Sequence, residues 1–267
     1  MKITIRDLHF SYSGAVEALR GINLTIDEGA SVLMLGHNGA GKSTLLKNLN
    51  GILKPTRGEV YLDEINTKSC DVSALAQYVA LSFQNPDDQI FSSTVLEEVS
   101  FGPRNLSKTN AADLARESLE LFRLTDFAAA HPYDLHASKR KMLSLASTVA
   151  MDTPIIAFDE PTAGLDLGQR ETFARALAEL REKKKTIILV THDIDFGIEF
   201  SDSILLLDRA EVVYYGAKVD FAEREDERKL LKKCGVGPPI LWRMSRTLGQ
   251  ERVPSSLREF SQLLGEG

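Results

Sequence analysis

Gly36-His37-Asn38-Gly39-Ala40-Gly41-Lys42-Ser43, with Thr44 after it, fits G-x-x-x-x-G-K-[ST], the phosphate-binding loop of nucleoside triphosphatases. The run before it, Ser31-Val32-Leu33-Met34-Leu35, is short and apolar, as a buried parallel strand requires. The run after it, Ser43 to Asn50, has helical spacing and stops at Gly51. In that context the glycines let backbone N–H groups wrap phosphates, and the helix N-terminus adds favourable partial charge. Lys42 is expected to reach the β- and γ-phosphates, and the Ser43 hydroxyl to hold Mg²⁺. Average composition produces these four fixed positions by accident in on the order of 1% of chains this long, and the flanking strand and helix make chance rarer still. The expected ligand is a nucleoside triphosphate.

The 267 residues suffice for one large domain, or for one with a smaller appendage. A net charge of −6 argues against nucleic acid as a partner, since affinity for its backbone comes from clustered Lys and Arg. Cys70 and Cys234 are far apart, with no C-x-x-C, and read as two ordinary thiols. No run approaches the length of a membrane span, and Met1 to Arg6 alternates like a strand. The expectation is a soluble intracellular protein that reaches a membrane through a partner.

Residues 2–6 and 22–26 read as strands, and 10–14 as an aromatic followed by turn chemistry. Tyr12 is either an edge-strand aromatic or a ring stacked on adenine. Tyr78 to Phe83 is a strand that delivers Gln84 at its end. Gln84-Asn85-Pro86-Asp87-Asp88-Gln89-Ile90-Phe91 is irregular, and helical patterns follow at 95–99, 111–122 and 142–150. Residues 92–150 therefore read as a helical subdomain inserted into the sheet. Thr153 to Pro161 returns to the sheet and ends in Asp159-Glu160; Gly168 to Glu182 is a helix; Thr186 to Val190 is a strand running into Thr191-His192-Asp193. Residues 203–208 and 211–216 complete the strands. After Gly216 the chain turns charged and amphipathic. It reads as a helical appendix in which Leu241, Trp242 and Met244 fill a small core or meet a partner.

Carboxylates at a strand end are the expected complement of a phosphate loop. Asp159 is assigned to Mg²⁺, and Glu160 to orienting or deprotonating the attacking water. Gln84, Asp159-Glu160 and His192 each end a strand, so all three should meet on one sheet edge. His192 is expected at the γ-phosphate.

Taken in order, Tyr12, residues 36–44, Gln84, Asp159-Glu160, Ala163-Gly164-Leu165-Asp166 and His192 resemble the ATPase subunit of an ABC transporter, over roughly residues 1–216. The fold this implies is α/β: a P-loop NTPase sheet core of ABC ATPase type, an inserted helical subdomain (about 92–150) and a C-terminal helical segment (217–267). The resemblance makes Tyr12 the adenine platform and Gln84 a switch that touches Mg²⁺ and senses the membrane partner. It counts Asp166 with the nucleotide-binding residues and has it communicate across a dimer. Gln84 to Phe91, with Glu97-Glu98-Val99-Ser100-Phe101-Gly102-Pro103, is similar to the energy-coupling-factor class, which imports vitamins or nickel and cobalt ions. In that class a C-terminal segment like the one around Gly235-Val236-Gly237-Pro238-Pro239 helps hold the ATPase pair together.

One segment departs from the family. Where its signature reads L-S-G-G-Q, this chain has Leu135-His136-Ala137-Ser138-Lys139, followed by Arg140-Lys141-Met142. Two glycines become Ala137 and Ser138, adding Cβ atoms where close backbone approach is needed. Two outcomes stay open: Ser138 or Lys139 supplies another phosphate contact, or the composite site built with this segment is slow. The expectation is an ATP-hydrolysing subunit that energises import of a small micronutrient, with ATP and Mg²⁺ as cofactors. Its partners would be a paralogous or identical ATPase subunit, an integral membrane coupling subunit and a substrate-binding subunit, at the cytoplasmic face of the membrane. The competing expectation is a soluble ABC-type ATPase with no transporter.

Overall fold

The computed structural model describes residues 1–12, 16–223, 225–248, 254 and 259–261. In chain order the strands are β1 (Ile3–Ser11), β2 (Glu17–Ile26), β3 (Ser31–Leu35), β4 (Arg57–Leu62), β5 (Ile65–Asn66), β6 (Val79–Ser82), β7 (Ile155–Asp159), β8 (Thr186–Val190), β9 (Ser203–Asp208) and β10 (Glu211–Ala217). The helices are α1 (Lys42–Leu49), α2 (Val72–Leu75), α3 (Val95–Asn105), α4 (Ala111–Leu121), α5 (Ala137–Ala150), α6 (Leu167–Glu182), α7 (Ile194–Phe200), α8 (Lys218–Glu223), α9 (Glu225–Lys233) and α10 (Ile240–Thr247).

The central sheet has the order β10-β9-β3-β8-β7-β6 and is parallel except for β10, which pairs antiparallel with β9. Its inner strands are buried on both faces, and their period-two alternation divides the side chains between different cores. Val32 and Met34 of β3, with Ile188 and Val190 of β8, face a second sheet and α1. That second sheet is antiparallel, in the order β2-β1-β4-β5. Ile156 and Phe158 of β7, with Ile187 and Leu189 of β8, turn the other way onto α3, α4, α5 and α6. Leu33 and Leu35 of β3, with Ile204 and Leu206 of β9, meet Phe221, Leu231 and Trp242 of the C-terminal helices.

Several boundaries differ from the pattern reading. β1 runs on to Ser11 because it pairs with both β2 and β4, a long-range support that local alternation does not show. The turn at 10–14 thus starts at Tyr12, and its Ser13 and Gly14 lie outside the described residues. The helix expected from Met142 starts at Ala137, and the short β5 and α7 went unanticipated. Trp242 is 2% exposed, in the same cluster as the sheet residues, so among the described residues the appendix packs onto the sheet and not around a core of its own; Met244 is exposed. The end of that segment, at 249–253, 255–258 and 262–267, lies outside the described residues. No described helix is long and apolar enough to cross a membrane.

Candidate nucleotide site

Parallel pairing puts the C-terminal ends of β3, β8, β7 and β6 on one edge of the sheet, where open α/β sheets take their ligands. A cavity of about 450 Å³ lies there. The phosphate loop after β3 contributes Asn38, Gly39, Gly41, Lys42, Ser43 and Thr44 to its lining. The ends of β6, β7 and β8 contribute Gln84, Asp159 with Glu160, and His192, and Tyr12 closes one side. The three strand ends therefore meet at the loop, as the apolar-run-then-polar pattern predicts.

Within the loop, Gly41 precedes α1 at φ +106°, and a Cβ there would lie 2.6 Å from the Ala18 carbonyl oxygen. Gly36 is tighter still: a Cβ would fall 2.4 Å from the Leu207 carbonyl oxygen. Glycine is needed at both because the backbone is left-handed and a neighbouring strand passes within contact distance. Lys42 is 9% exposed, and its Nζ donates to Gly36 O at 2.8 Å and His37 O at 3.0 Å. Burial lowers its pKa, while Glu160 and Asp159 pull it back up. Gly36 and His37 border a smaller neighbouring cavity of about 280 Å³, shared with residues 235–237, and Ala40 is fully buried beneath the loop.

Glu160 leaves β7 at φ +49°, a conformation uncommon for a residue with a side chain. Its N–H donates to Val190 O at 2.8 Å, tying the end of β7 to β8. Glu160 Oε2 accepts from the His192 N–H at 3.1 Å, and Oε1 lies 3.4 Å from His192 Nε2. Burial raises the Glu160 pKa above the ordinary carboxylate value, and the His192 N–H and imidazole oppose that rise. A buried carboxyl of raised pKa that lines the cavity suits abstraction of a proton from a water held there. The Tyr12 hydroxyl is 3.0 Å from Thr44 Oγ1, and its exposed ring meets Phe10 edge-on at 4.9 Å. A face of the ring stays open to solvent beside the cavity.

Asp166 does not line the cavity. Its Oδ1 accepts from the Gln169 N–H at 2.8 Å, and Gln169 Oε1 accepts from the Asp166 N–H at 3.1 Å, a capping box that starts α6. Gln169 also donates to Ser138 Oγ at 3.1 Å, joining this cap to the start of α5.

The segment that departs from the family signature is engaged within the chain. Ser138 accepts from Gln169, and Lys139 Nζ sits 3.7 Å over the Phe127 ring. Arg140 donates to Asp87 Oδ1 at 2.9 Å and to Leu135 O at 2.9 Å. His136, at the N-cap of α5, gives no side-chain cap. Asp87 therefore has an arginine in its own chain, and Asp88 accepts from Asn85 Nδ2 at 3.3 Å. Sequence reading missed Lys141, the innermost of the three cations. It is 3% exposed and ends on the carbonyls of Phe83 and Gln84. A run of Lys-Arg-Lys reads as a solvated face, and only the turn of α5 toward Gln84 makes it otherwise.

Comparison with known proteins agrees with this geometry. The ABC transporter family model matches residues 19–163. A putative ABC transporter ATP-binding protein of Pyrococcus furiosus is 36% identical, covering 95% of this chain and 96% of the relative. The energy-coupling factor transporter ATP-binding protein EcfA of Carboxydothermus hydrogenoformans is 34% identical, covering 99% of this chain and 97% of its own. Among solved structures, cbiO1 from Clostridium perfringens, part of the ABC transporter complex cbiONQ, superposes with a TM-score of 0.73 at 30% identity. It covers 92% of this chain and 98% of its own length. A dimeric ATP-binding cassette in a post-hydrolysis state, bound to ADP and phosphate, superposes at 0.72 with 30% identity, covering 80% of this chain and 98% of its own. With its phosphate loop, its strand-end carboxylates and these relatives, the chain belongs to the ABC transporter family as an ATP-binding, ATP-hydrolysing subunit.

Proposed function

We propose that the chain energises import of a small micronutrient, a vitamin or transition-metal ion, through a membrane coupling subunit that works with a substrate-binding subunit. It acts as one half of an ATPase pair at the cytoplasmic face of the membrane. The likeness to energy-coupling factor ATP-binding proteins over nearly the whole chain supports the transport class.

In this reading Gly36 to Thr44 bind the triphosphate, with Lys42 exchanging the carbonyls of Gly36 and His37 for phosphate oxygens. Tyr12 stacks on the base, His192 contacts the γ-phosphate, and Asp166 communicates with the other subunit. Ser43, Asp159 and Gln84 present oxygen donors to one cavity, a set that fits Mg²⁺ once phosphates complete its shell. Among the described residues no group of three His, Cys, Asp or Glu could hold a metal alone, so the ion is expected to arrive with nucleotide. Bound there, Mg²⁺ neutralises charge developing on the phosphates. Glu160 holds the attacking water and takes its proton.

The observation that carries the unequal pair is the contrast between a complete catalytic set around Lys42 and a signature segment whose cations are engaged by groups of their own chain. Lys139 and Arg140 already have partners, and Ser138 is held by Gln169, so little of that segment is left to clasp a phosphate across the dimer. The site completed by this segment is proposed to bind ATP and turn it over slowly. This chain's own loop then needs an intact signature from a paralogous partner. Affinity capture from detergent-solubilised membranes is expected to bring down a second ATPase and integral membrane proteins. Robust cooperative hydrolysis and ATP-dependent self-association by the purified chain alone would overturn the unequal pair. Recovery without any membrane protein would overturn the transport role.

A further inference from the structure

Lys141, Ser144 and Thr148 lie at i, i+3 and i+7 on α5, which puts them on one face of the helix. All three are nearly inaccessible, at 3%, 0% and 1% exposure. This polar stripe faces the loop that starts at Gln84. Lys141 Nζ donates to Phe83 O at 3.1 Å and to Gln84 O at 2.8 Å. Gln89 Oε1 accepts from the Ser144 hydroxyl at 2.8 Å and from the Phe83 N–H at 3.3 Å. Gln89 Nε2 donates to Ser144 O at 3.0 Å and to Thr148 Oγ1 at 3.2 Å. At the far end of the loop, Glu98 Oε2 accepts from the N–H groups of Phe91 and Ser92.

Lys141 is the costly member of the stripe. A buried ammonium is far from its preferred solvent, and an apolar residue would suit a helix core better. Among the described residues no carboxylate comes within ion-pair distance of it, and its donors end on backbone. Asp159 and Glu160 favour its charge from further off. Satisfying two carbonyls would not by itself call for a charge. The place of those carbonyls does: they flank the peptide that carries the Gln84 side chain into the nucleotide cavity.

We propose that Lys141 is a positioning residue for Gln84, clamping the Phe83–Gln84 backbone to α5 so that the Gln84 side chain keeps its place in the nucleotide cavity. Displacement of the helical subdomain then moves that side chain with it. The inference rests on the reading of Gln84 as the switch of this site.

The test is a double-mutant cycle on the full-length chain, assayed for ATP turnover in the complex in which it purifies. Lys141→Met is expected to lower kcat at least tenfold while KM for ATP changes less than twofold. Gln84→Ala is expected to give a loss of similar size, and the double variant no further loss, because both act through one side chain. Lys141→Gln, which keeps a donor in the same place, is expected to recover part of the activity and serves in the cycle if the methionine variant does not fold. Losses that multiply, or a Lys141→Met chain with wild-type turnover beside a slowed Gln84→Ala, would overturn the role of Lys141 alone. Wild-type turnover by Gln84→Ala would overturn the switch reading, and this role with it.

Discussion

His192 Nε2 lies 3.1 Å from Asn38 Oδ1, so the end of β8 is joined directly to the phosphate loop. The same imidazole nitrogen is 3.4 Å from Glu160 Oε1. One side chain thus touches the loop that grips the phosphates and the carboxylate assigned to the water. Loss of a phosphate would be felt at both.

Glu160→Gln keeps the shape of the side chain and removes its basicity. Hydrolysis is expected to fall at least about 100-fold, the lower end of what a general base contributes, with nucleotide still bound. Turnover and retained ATP, measured on the same preparation, check this; turnover unchanged by the substitution would reject the role of Glu160.

The pH profile follows from the same carboxyl. Burial raises its pKa, so the rate should climb with pH through a limb above the ordinary carboxylate range, since only the ionised form accepts a proton. The His192 backbone N–H lowers that pKa most and its imidazole adds a smaller part. His192→Ala keeps the N–H and removes only the imidazole, so it should move the acid limb modestly to higher pH as well as slow the reaction. An acid limb that stays in place in the variant would count against this coupling.

Lys42→Ala removes a cation that the fold keeps 9% exposed beside the loop. A charge-assisted contact contributes roughly 1.5–3 kcal/mol, so ATP affinity should drop about 10- to 100-fold. Equilibrium titration with a fluorescent ATP analogue reads this, and an affinity within twofold of wild type would refute the phosphate contact.

Gly41→Ala should fail for a steric reason. A Cβ at 2.6 Å from Ala18 O and 2.9 Å from Leu19 Cδ2, on a backbone at φ +106°, cannot be accommodated without moving β2. A loss of about 2 kcal/mol or more in stability is expected, along with weaker nucleotide binding. Gly39→Ala, with open space around its Cβ, should keep more of the stability. Denaturant melts of the two variants make the comparison.

Lys141 gives a pH signature in stability. Burial lowers its pKa in the folded chain from 10.5 to about 8. Between about pH 8 and 10.5 the unfolded chain binds the extra proton, so the Lys141 contribution rises with pH across that window. It is fully present above the unfolded value and is lost as pH falls through about 8. Relative to Lys141→Met, the wild-type chain should therefore gain stability as pH goes from 8 to 10.5. Parallel urea melts across that range would show the gain or its absence.

The nucleotide cavity was largely legible in the sequence because its parts obey fixed spacings. Gly36 to Thr44 follow a motif, and Gln84, Asp159 with Glu160, and His192 each end a short apolar strand. A parallel sheet brings such ends together without further information. What lay beyond reading depends on partners far along the chain. The pairing of β1 with β4, the Arg140–Asp87 contact across 53 positions and the hold of Lys141 on Gln84 across 57 are set by tertiary packing. No local pattern encodes them.

The division of β3 between two cores bears on the residues after Gly216. Leu33, Leu35, Ile204 and Leu206 are covered by Phe221, Leu231 and Trp242, so the strand that holds up the phosphate loop leans on the end of the chain. A chain cut short after Gly216 would present a strip of aliphatic sheet to water directly behind Gly36. Such a shortened protein should precipitate or lose its grip on ATP, even though every motif residue would still be there.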